Sequence, residues 1–365
     1  MSTLSWTIGV EIELLAPLGR SRYDLALAIA KQSGGSVQRV FYPQSEPSQV
    51  EGAPVFENLT LGFDVFNAEG QLIARCVDDL TLQKDLQRNC PPKADWYRIV
   101  SDDSRFLRLI MRQSNAEDSC ERVLEPVAEL FNSRLSVNSD GMTRLSDDRG
   151  FSIAISTPLP GERERPCELI TPPISVSHFE RLQTLLSAAS ALTFYAPIEG
   201  ATHIHFDAAR LCSASVLANL VKLLSVYGPE LRQLVGANPD CTRLGDWPKK
   251  LLDLVQEPDF IGLSWEEAKA QLSELNLSKY CDFNLKNLID ETPDKHTFEV
   301  RIFPVWLDAQ SIVEAAGLFE AILYWAIQTD SSAPLPIDIQ NVLECLPLPP
   351  ELGESWKQRL VLCSG

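Results

Sequence analysis

Strict alternation of apolar and polar positions marks three segments of the chain and predicts three β-strands. They are TIGVEIEL (residues 7–14), GATHIHFD (residues 200–207) and HTFEVRIFP (residues 296–304). Successive side chains of a strand point to opposite faces, so each segment has one apolar face and one polar face. The apolar faces are suited to a core. The polar faces carry closely spaced Glu, His and Arg residues.

Helical spacing of apolar residues predicts helices between these strands. One runs from Arg22 to Gly34-Gly35, which provide a stop signal. Another covers residues 213–235, with Gly228-Pro229 as a candidate break. A long apolar helix covers residues 308–328 and packs either internally or across an interface. Between residues 36 and 150 the pattern is weaker and predicts one clear hairpin, at residues 63–77.

Separate strands joined by long helices indicate an α/β or an α+β fold. The period-2 alternation favours α+β with an antiparallel sheet, because strands of parallel sheets are usually apolar on both faces. We expect residues 1–330 to form a single catalytic domain with a less regular insertion around 36–150. Residues 331–365 are expected to form a Pro-rich tail that ends in a short helix.

The composition of the chain argues against nucleic-acid binding and against association with membranes. The chain has 365 residues and a formal charge of -18, with no basic run of the kind that nucleic-acid or anionic-membrane binding requires. No apolar run reaches the roughly 18 residues that span a bilayer, and the N-terminus lacks the features of a signal peptide. The nine cysteines include no CxxC pair. We therefore expect reduced thiols and a cytoplasmic protein that binds neither nucleic acid nor membrane.

The polar faces of the three strands carry Glu-x-Glu, His-x-His and Glu-x-Arg. Each strand alone fits the solvated face of an antiparallel sheet. Surface positions more often carry Lys, Thr, Ser or Gln, and two of the four histidines of the chain fall in this one pair. A fourth candidate strand, CELIT, adds Glu168. The combination therefore favours a shared site over a water-facing surface.

If the strands belong to one sheet, their polar faces converge. Carboxylates with imidazoles suit Mg²⁺ or Mn²⁺, and a cluster of carboxylates without a cation would suffer repulsion and desolvation. The pattern therefore predicts a bound divalent metal, and Arg301 beside Glu299 suits an anionic group such as a phosphate. The motifs GxxxxGK[ST], GxGxxG, GxSxG and HExxH are absent from the sequence.

GVEIE, CELITPP, GATHIHFD and FNLKN…TFEVRIFP occur in this order, as islands between about residues 6 and 325. Together they resemble the amidoligase family, a branch of the carboxylate–amine ligases with the glutamine synthetase fold. The resemblance implies a curved, mainly antiparallel sheet with helices on its outer face and a site for metal and ATP on its polar face.

The resemblance also implies roles for individual residues, with ATP and Mg²⁺ (or Mn²⁺) as cofactors. His203 is favoured over His205 as the histidine that binds metal or phosphate. The expected site consists of metal ligands (Glu11, Glu13, Glu168, His203 and Glu299), cofactor-binding residues (His203, His205, Asn284 and Arg301) and catalytic residues (Glu168, Arg243 and Arg301).

The activity that follows from the resemblance is ATP-dependent ligation of a carboxylate to an amine, which forms an amide or isopeptide bond through an acyl phosphate. Small molecules or peptides would supply the carboxylate and the amine. Three alternatives stay open from the sequence. They are a metal-dependent hydrolase with the same Glu and His residues, a non-catalytic binding protein on the same fold, and a guanidino kinase of that fold.

Overall fold

The computed structural model describes residues 4–47, 55–291 and 295–363. Residues 48–54 of the predicted insertion, and the extreme ends of the predicted domain and tail, lie outside the described residues. The architecture is α+β, with a large, open antiparallel sheet and 11 α-helices among the described residues. The predicted α+β class and antiparallel sheet are confirmed, and the likeness of the sheet to that of glutamine synthetase stays a prediction.

The strands pair in antiparallel fashion and range from two to twelve residues in length. They are β1 (Ile8–Leu15), β2 (Ser36–Pro47), β3 (Val55–Phe66), β4 (Leu72–Val77), β5 (Tyr97–Val100), β6 (Arg134–Val137), β7 (Thr143–Ser146), β8 (Ser152–Pro158), β9 (Pro166–Ile170), β10 (Thr202–Asp207), β11 (Phe283–Asn284) and β12 (Thr297–Phe303).

The helices are α1 (Arg22–Gln32), α2 (Ser104–Gln113), α3 (Glu125–Leu130), α4 (His178–Ala191), α5 (Ala214–Val235), α6 (Lys249–Val255), α7 (Trp265–Glu274), α8 (Lys286–Ile289), α9 (Ala309–Gln328), α10 (Ile339–Cys345) and α11 (Pro350–Cys363). Within the described ranges, no helix is both long enough and apolar enough to cross a bilayer.

The chain divides into two compact units. The first unit comprises Met1–Ile12, Pro173–Leu186 and Glu199–Gly365, and the second comprises Glu13–Pro172 and Ser187–Ile198. Two of the boundaries between the units therefore fall inside elements, one in β1 and one in α4.

In the first unit the strands follow the order β11-β12-β10-β1. The apolar residues of β10 and β12, such as Ile204 and Val300, are fully buried. The ring of Phe319 on α9 packs against Phe283 and Phe303. Helix α5 continues through the candidate break at Gly228-Pro229, so the expectation of a break there is wrong. The alternation of β1, β10 and β12 thus places an apolar face on the core of this unit and leaves the other face to polar residues.

In the second unit the strands follow the order β9-β4-β3-β5-β8-β7-β6, and β2 pairs with β3 over twelve residues. The predicted hairpin at residues 63–77 is present as β3 and β4. Residues 36–150, predicted as a less regular insertion, contain the strands β2 to β7 and the helices α2 and α3. Buried residues of β3, β5 and α2, such as Leu59, Ile99 and Ile110, form a core of their own.

The C-terminal segment contains α10 and α11, which belong to the first unit. Trp356 on α11 is fully buried, and the guanidinium of Arg359 lies over its ring at 4.4 Å. Gly317 on α9 gives α11 room, since a Cβ at this position would lie 2.8 Å from Leu352 Cδ2. The segment therefore packs on the first unit through α5 and α9.

Candidate functional site

The strand register of the first unit brings residues of the Glu-x-Glu, His-x-His and Glu-x-Arg motifs together. Glu11 of β1 lies opposite His203 of β10. His205 of β10 lies opposite Glu299 of β12, and Asn284 of β11 lies opposite Glu299 on the other side. Directly opposite residues of an antiparallel pair point to the same face. The motifs therefore form one polar patch that runs across four strands.

This patch is buried, unlike the polar face of an ordinary surface sheet. Glu11 is 8% exposed, His205 is 5% exposed and Glu299 is 3% exposed. Burial of ionised groups is unfavourable unless they are paired or hold a cation. Glu11, His205 and Glu299 therefore do not belong to a water-facing surface.

Glu11 is surrounded by three nitrogen-bearing side chains. Its Oε1 lies 3.2 Å from Nε2 of His205 and accepts a hydrogen bond of 2.9 Å from Nζ of Lys295. Its Oε2 lies 3.5 Å from Nδ1 of His203. Burial favours a higher pKa for Glu11, but the charges of His205 and Lys295 and the bond to His203 outweigh it. The pKa of Glu11 is thus held well below its usual value, and the group is a carboxylate at neutral pH.

Glu299 is held by groups on β11 and on its own strand. Asn284 Nδ2 donates to its Oε2 at 2.7 Å, and a guanidinium nitrogen of Arg301 donates to its Oε1 at 2.6 Å. The same Oε1 lies 3.7 Å from Nδ1 of His203 and 3.8 Å from Nε2 of His205. Burial again raises the pKa, and the charges of His205 and Arg301 lower it to about 2. Glu299 is therefore also ionised at neutral pH.

The two histidines occupy different electrostatic environments. Burial, followed by the charge of Arg301, lowers the pKa of His203 to about 4. His203 is therefore neutral at pH 7, the form in which an imidazole binds metals. Nδ1 of His205 lies 3.1 Å from the hydroxyl of Thr297, which fixes the orientation of the ring. A hydrogen bond at one ring nitrogen is the common arrangement for a histidine whose other nitrogen holds a ligand.

The donor set fits a divalent cation. One ligand atom each from Glu11, His205 and Glu299 lies within 4.8 Å of the others. Nε2 of His205 faces Glu11 without the geometry of a hydrogen bond to any described residue. Two carboxylates and one imidazole are ligands of Mg²⁺, Mn²⁺ and related ions. A cation between these atoms would satisfy the buried nitrogen and both carboxylates.

The chain also supplies cations to the same carboxylates. Lys295 contacts Glu11, and Arg301 contacts Glu299, so each carboxylate has a Lys or Arg partner in addition to the histidines. The sequence argument that repulsion alone demands a metal therefore does not hold for this pair. Lys295 is 44% exposed at its side chain, whereas Arg301 is 8% exposed. Of the two basic partners, Lys295 is thus the one that solvent can reach.

Three further residues of the predicted site are Glu13, Glu168 and Arg243. Glu13 is fully buried in the part of β1 that belongs to the second unit. Glu168 lies in β9 of the second unit, opposite Val77 of β4. Arg243 follows α5, and its guanidinium donates to the carbonyl of Glu199 at 3.3 Å. The roles predicted for these residues stay predictions.

Two residues of the patch have no role in the sequence analysis. Lys295 binds Glu11, and Thr297 binds His205. Thr297 shares the polar face of β12 with Glu299 and Arg301, so the alternation contained a signal for it. Lys295 precedes the strand and carries no pattern that connects it to a glutamate 284 residues earlier in the chain.

A family model described as "Putative amidoligase enzyme" matches residues 4–323. The match covers all the strands and helices that build the polar patch. A search of curated proteins found no match.

Proposed function

The chain belongs to the amidoligase family, and on this basis we propose that it is an ATP-dependent ligase that joins a carboxylate to an amine. In the proposed reaction the carboxylate oxygen attacks the γ-phosphorus of ATP, which releases ADP and gives an acyl phosphate. The amine then attacks the acyl carbon, phosphate leaves, and the amine loses a proton to a base. The product is an amide or an isopeptide bond on a small molecule or a peptide.

The observation that carries this proposal is the buried patch of Glu11, His203, His205 and Glu299 with Arg301 beside it. A patch with two ionised carboxylates, two imidazoles and a guanidinium has the donors for both a metal and a phosphate. Positioning and charge stabilisation are most of what phosphoryl transfer requires of a protein. The polar face supplies both without a phosphate-binding loop.

We assign Glu11, His205 and Glu299 as the ligands of Mg²⁺ or Mn²⁺ in this site. When bound, the metal would neutralise phosphate oxygens and make the phosphorus more electrophilic. Thr297 orients His205, and Asn284 orients Glu299 through a hydrogen bond of 2.7 Å. These second contacts hold the ligands in place before substrates bind.

Arg301 has the role of binding the transferred phosphoryl group. Its guanidinium is rigid, permanently charged and able to form two parallel hydrogen bonds to a phosphate. Its contact with Glu299 at 2.6 Å fixes the guanidinium next to the proposed metal ligands. Lys295 contributes a second, more exposed cation on the side of Glu11. The two cations differ in exposure, since Arg301 is buried and Lys295 is partly exposed. This difference suits a site that must bind ATP and then release ADP.

Calorimetry tests the nucleotide site without knowledge of the substrates. Purified protein is titrated with a non-hydrolysable ATP analogue, with and without Mg²⁺. We expect metal-dependent binding that Glu299→Gln abolishes, because the amide loses the charge and one oxygen donor. Glu344→Gln is the matched control, since Glu344 is exposed on α10 of the same unit. Equal binding by wild type and Glu299→Gln would remove this site from the reaction.

The reaction itself is tested with hydroxylamine as the amine and a panel of amino acids and peptides as carboxylates. Hydroxylamine converts an acyl phosphate into a hydroxamate, so hydroxamate should form in step with ADP. Product formation in nucleotide-free buffer would instead indicate a hydrolase. A stable phosphorylated product would indicate a kinase, and metal-independent behaviour with no ADP would indicate a binding protein.

A further inference from the structure

A cavity of about 380 Å³ lies within the second unit, remote in sequence from the β10 and β12 motifs. Its volume falls in the range of roughly 300–1,000 Å³ that is typical of small-molecule sites. Its walls combine three arginines (Arg88, Arg98 and Arg163) with three leucines (Leu80, Leu86 and Leu159). We propose that this cavity binds a small molecule with an anionic group, a carboxylate or a phosphate, next to an apolar body.

The strand β5 directs Arg98 into the cavity. Tyr97 and Ile99 point to the core of the second unit, so the alternation of the strand turns Arg98 to the opposite face. The backbone at Arg98 is fixed from both sides, since it pairs with Thr60 of β3 and Thr157 of β8. The guanidinium is thus presented from a rigid central strand.

Arg163 forms a buried wall of the cavity, where three acceptors hold its guanidinium. It donates to the carbonyl oxygens of Leu82 at 2.7 Å and Asp79 at 2.8 Å, and it pairs with Asp78 at 2.5 Å. Asp78 also lies 3.7 Å from the guanidinium of Arg22. The guanidinium of Arg163 is thus held in a fixed position at the wall of the cavity, where it can contribute one hydrogen-bond donor face to a bound anion.

Gly161 shapes the wall that holds Arg88. It has a φ of +53°, and a Cβ there would lie 2.8 Å from the Gln87 carbonyl oxygen and 2.9 Å from the Arg88 Cα. Only glycine allows the two backbone segments to approach this closely. Its N–H donates to the carbonyl of Cys90 at 3.0 Å, which fixes the turn. The turn brings Arg88 to the edge of the cavity.

The charge of the cavity is opposite to that of the protein. The whole chain has a net charge of -18, yet no Asp or Glu is among the described residues that line the cavity. Arg88 is exposed and forms no ion pair with any residue in the described ranges. Guanidinium groups bind carboxylates and phosphates through paired hydrogen bonds, and the leucines offer an apolar surface. These features together select an amphipathic anion.

This inference is independent of the proposed ligase reaction, because it involves neither the polar patch nor a nucleotide. The experiment is a calorimetric titration of the full chain in EDTA with three compounds of similar shape. Benzoate carries a carboxylate, phenyl phosphate carries a phosphate, and benzamide is neutral. We expect at least one anion to bind saturably at one site, at least about tenfold more tightly than benzamide, because a charge-assisted bond is worth about one factor of ten. The tighter anion identifies the ligand group.

Variants locate the binding in the cavity. Arg98→Gln should weaken the anion about tenfold, and Arg88→Gln, at an exposed position that tolerates substitution, should weaken it about threefold or more. Arg112→Gln removes the same charge from an exposed position on α2 of the same unit and should have no effect. Glu299→Gln should also leave anion binding unchanged, so failure of the ligase proposal would not affect this result.

The proposal is overturned if neither anion binds, or if benzamide binds as well as benzoate. It is also overturned if Arg112→Gln weakens the anion as much as Arg88→Gln does, since the effect would then be one of net charge. If Arg98→Gln does not fold, as judged by circular dichroism, Arg88→Gln alone decides. Unchanged affinity in that variant counts against the proposal.

Discussion

Nζ of Lys295 lies 2.9 Å from Oε1 of Glu11, an atom that also lies 3.2 Å from Nε2 of His205. A protein cation and the proposed metal therefore share one carboxylate. Lys295 and a divalent ion are both positively charged, so they repel each other and compete for the carboxylate of Glu11. We expect the half-exposed Lys295 to be the group that metal binding displaces, since Glu11 and His205 are buried.

We expect Lys295→Met to tighten the binding of Mn²⁺ in the absence of nucleotide. The gain should be roughly two- to fivefold, because a partly exposed ion pair is worth at most about 1 kcal/mol. Calorimetric titration with Mn²⁺ measures it. Lys286→Met is the control, since Lys286 pairs with Asp290 on the surface of the same unit. Weaker Mn²⁺ binding in Lys295→Met would show that Lys295 assists the metal site instead of competing with it.

Asn284→Asp should destabilise the protein by about 2–4 kcal/mol at pH 7. The new carboxylate would lie at the position from which Asn284 Nδ2 donates to Glu299, and two buried carboxylates repel each other. Urea unfolding gives the free energy. Asn89→Asp, at an exposed position away from any helix end, should change it by less than about 0.5 kcal/mol. An Asn284→Asp protein as stable as wild type would mean that Glu299 is not held in this contact.

The pKa of His203 predicts how stability depends on pH. Burial lowers this pKa from 6.5 to about 4 in the folded chain. Between these pH values the unfolded chain binds a proton that the folded chain does not, so stability falls as pH falls from 6.5 to 4 and then no further from this group. The full difference is up to about 3 kcal/mol. The contribution is absent above pH 6.5, where His203 is neutral in both states.

Urea unfolding in EDTA at pH 7, 6 and 5 measures this contribution. His203→Gln should flatten the loss of stability over this range, because glutamine does not titrate. Glu299, with a pKa of about 2 compared with a usual value of 4.5, acts in a lower range, where its stabilisation is lost as pH falls towards 2. A slope unchanged by His203→Gln would contradict the lowered pKa of His203.

Trp356→Ala should cost about 3–5 kcal/mol, because Trp356 is fully buried and its loss leaves a large cavity. Thermal and urea unfolding measure the cost. Leu362→Ala on the same helix, at a position 81% exposed, should be nearly neutral. A loss below about 1 kcal/mol for Trp356→Ala would mean that α11 contributes little to the first unit.

The polar patch could be predicted from sequence because it depends on the alternation of apolar and polar residues within each strand. The alternation in β1, β10 and β12 assigned Glu11, His203, His205 and Glu299 to polar faces, and the register confirms that these faces meet. Alternation alone does not state which strands are neighbours in the sheet. That information came from the order of the motifs along the chain. The resemblance to amidoligases, confirmed by the family match, supplied that neighbourhood.

Features that depend on pairs distant in sequence could not be predicted. Arg163 and Asp78 are 85 residues apart, and neither lies in a motif. The weak pattern between residues 36 and 150 hid the long strands β2 and β3. Among the described side chains of β2, Phe41 is the only buried one, so burial imposes little alternation of apolar residues on this strand.

The pairing of β10 with β1 and β12 has a consequence for how this segment can change in evolution. Because side chains alternate, an insertion or deletion of one residue before His203 would rotate both imidazoles into the apolar layer and bring Ile204 and Phe206 to the polar face. Such a change would destroy the core and the chemistry together. Substitution at His203 or His205, in contrast, can alter the chemistry while the core stays intact. This segment can therefore accept substitutions at the polar positions, but it cannot accept the insertion or deletion of one residue.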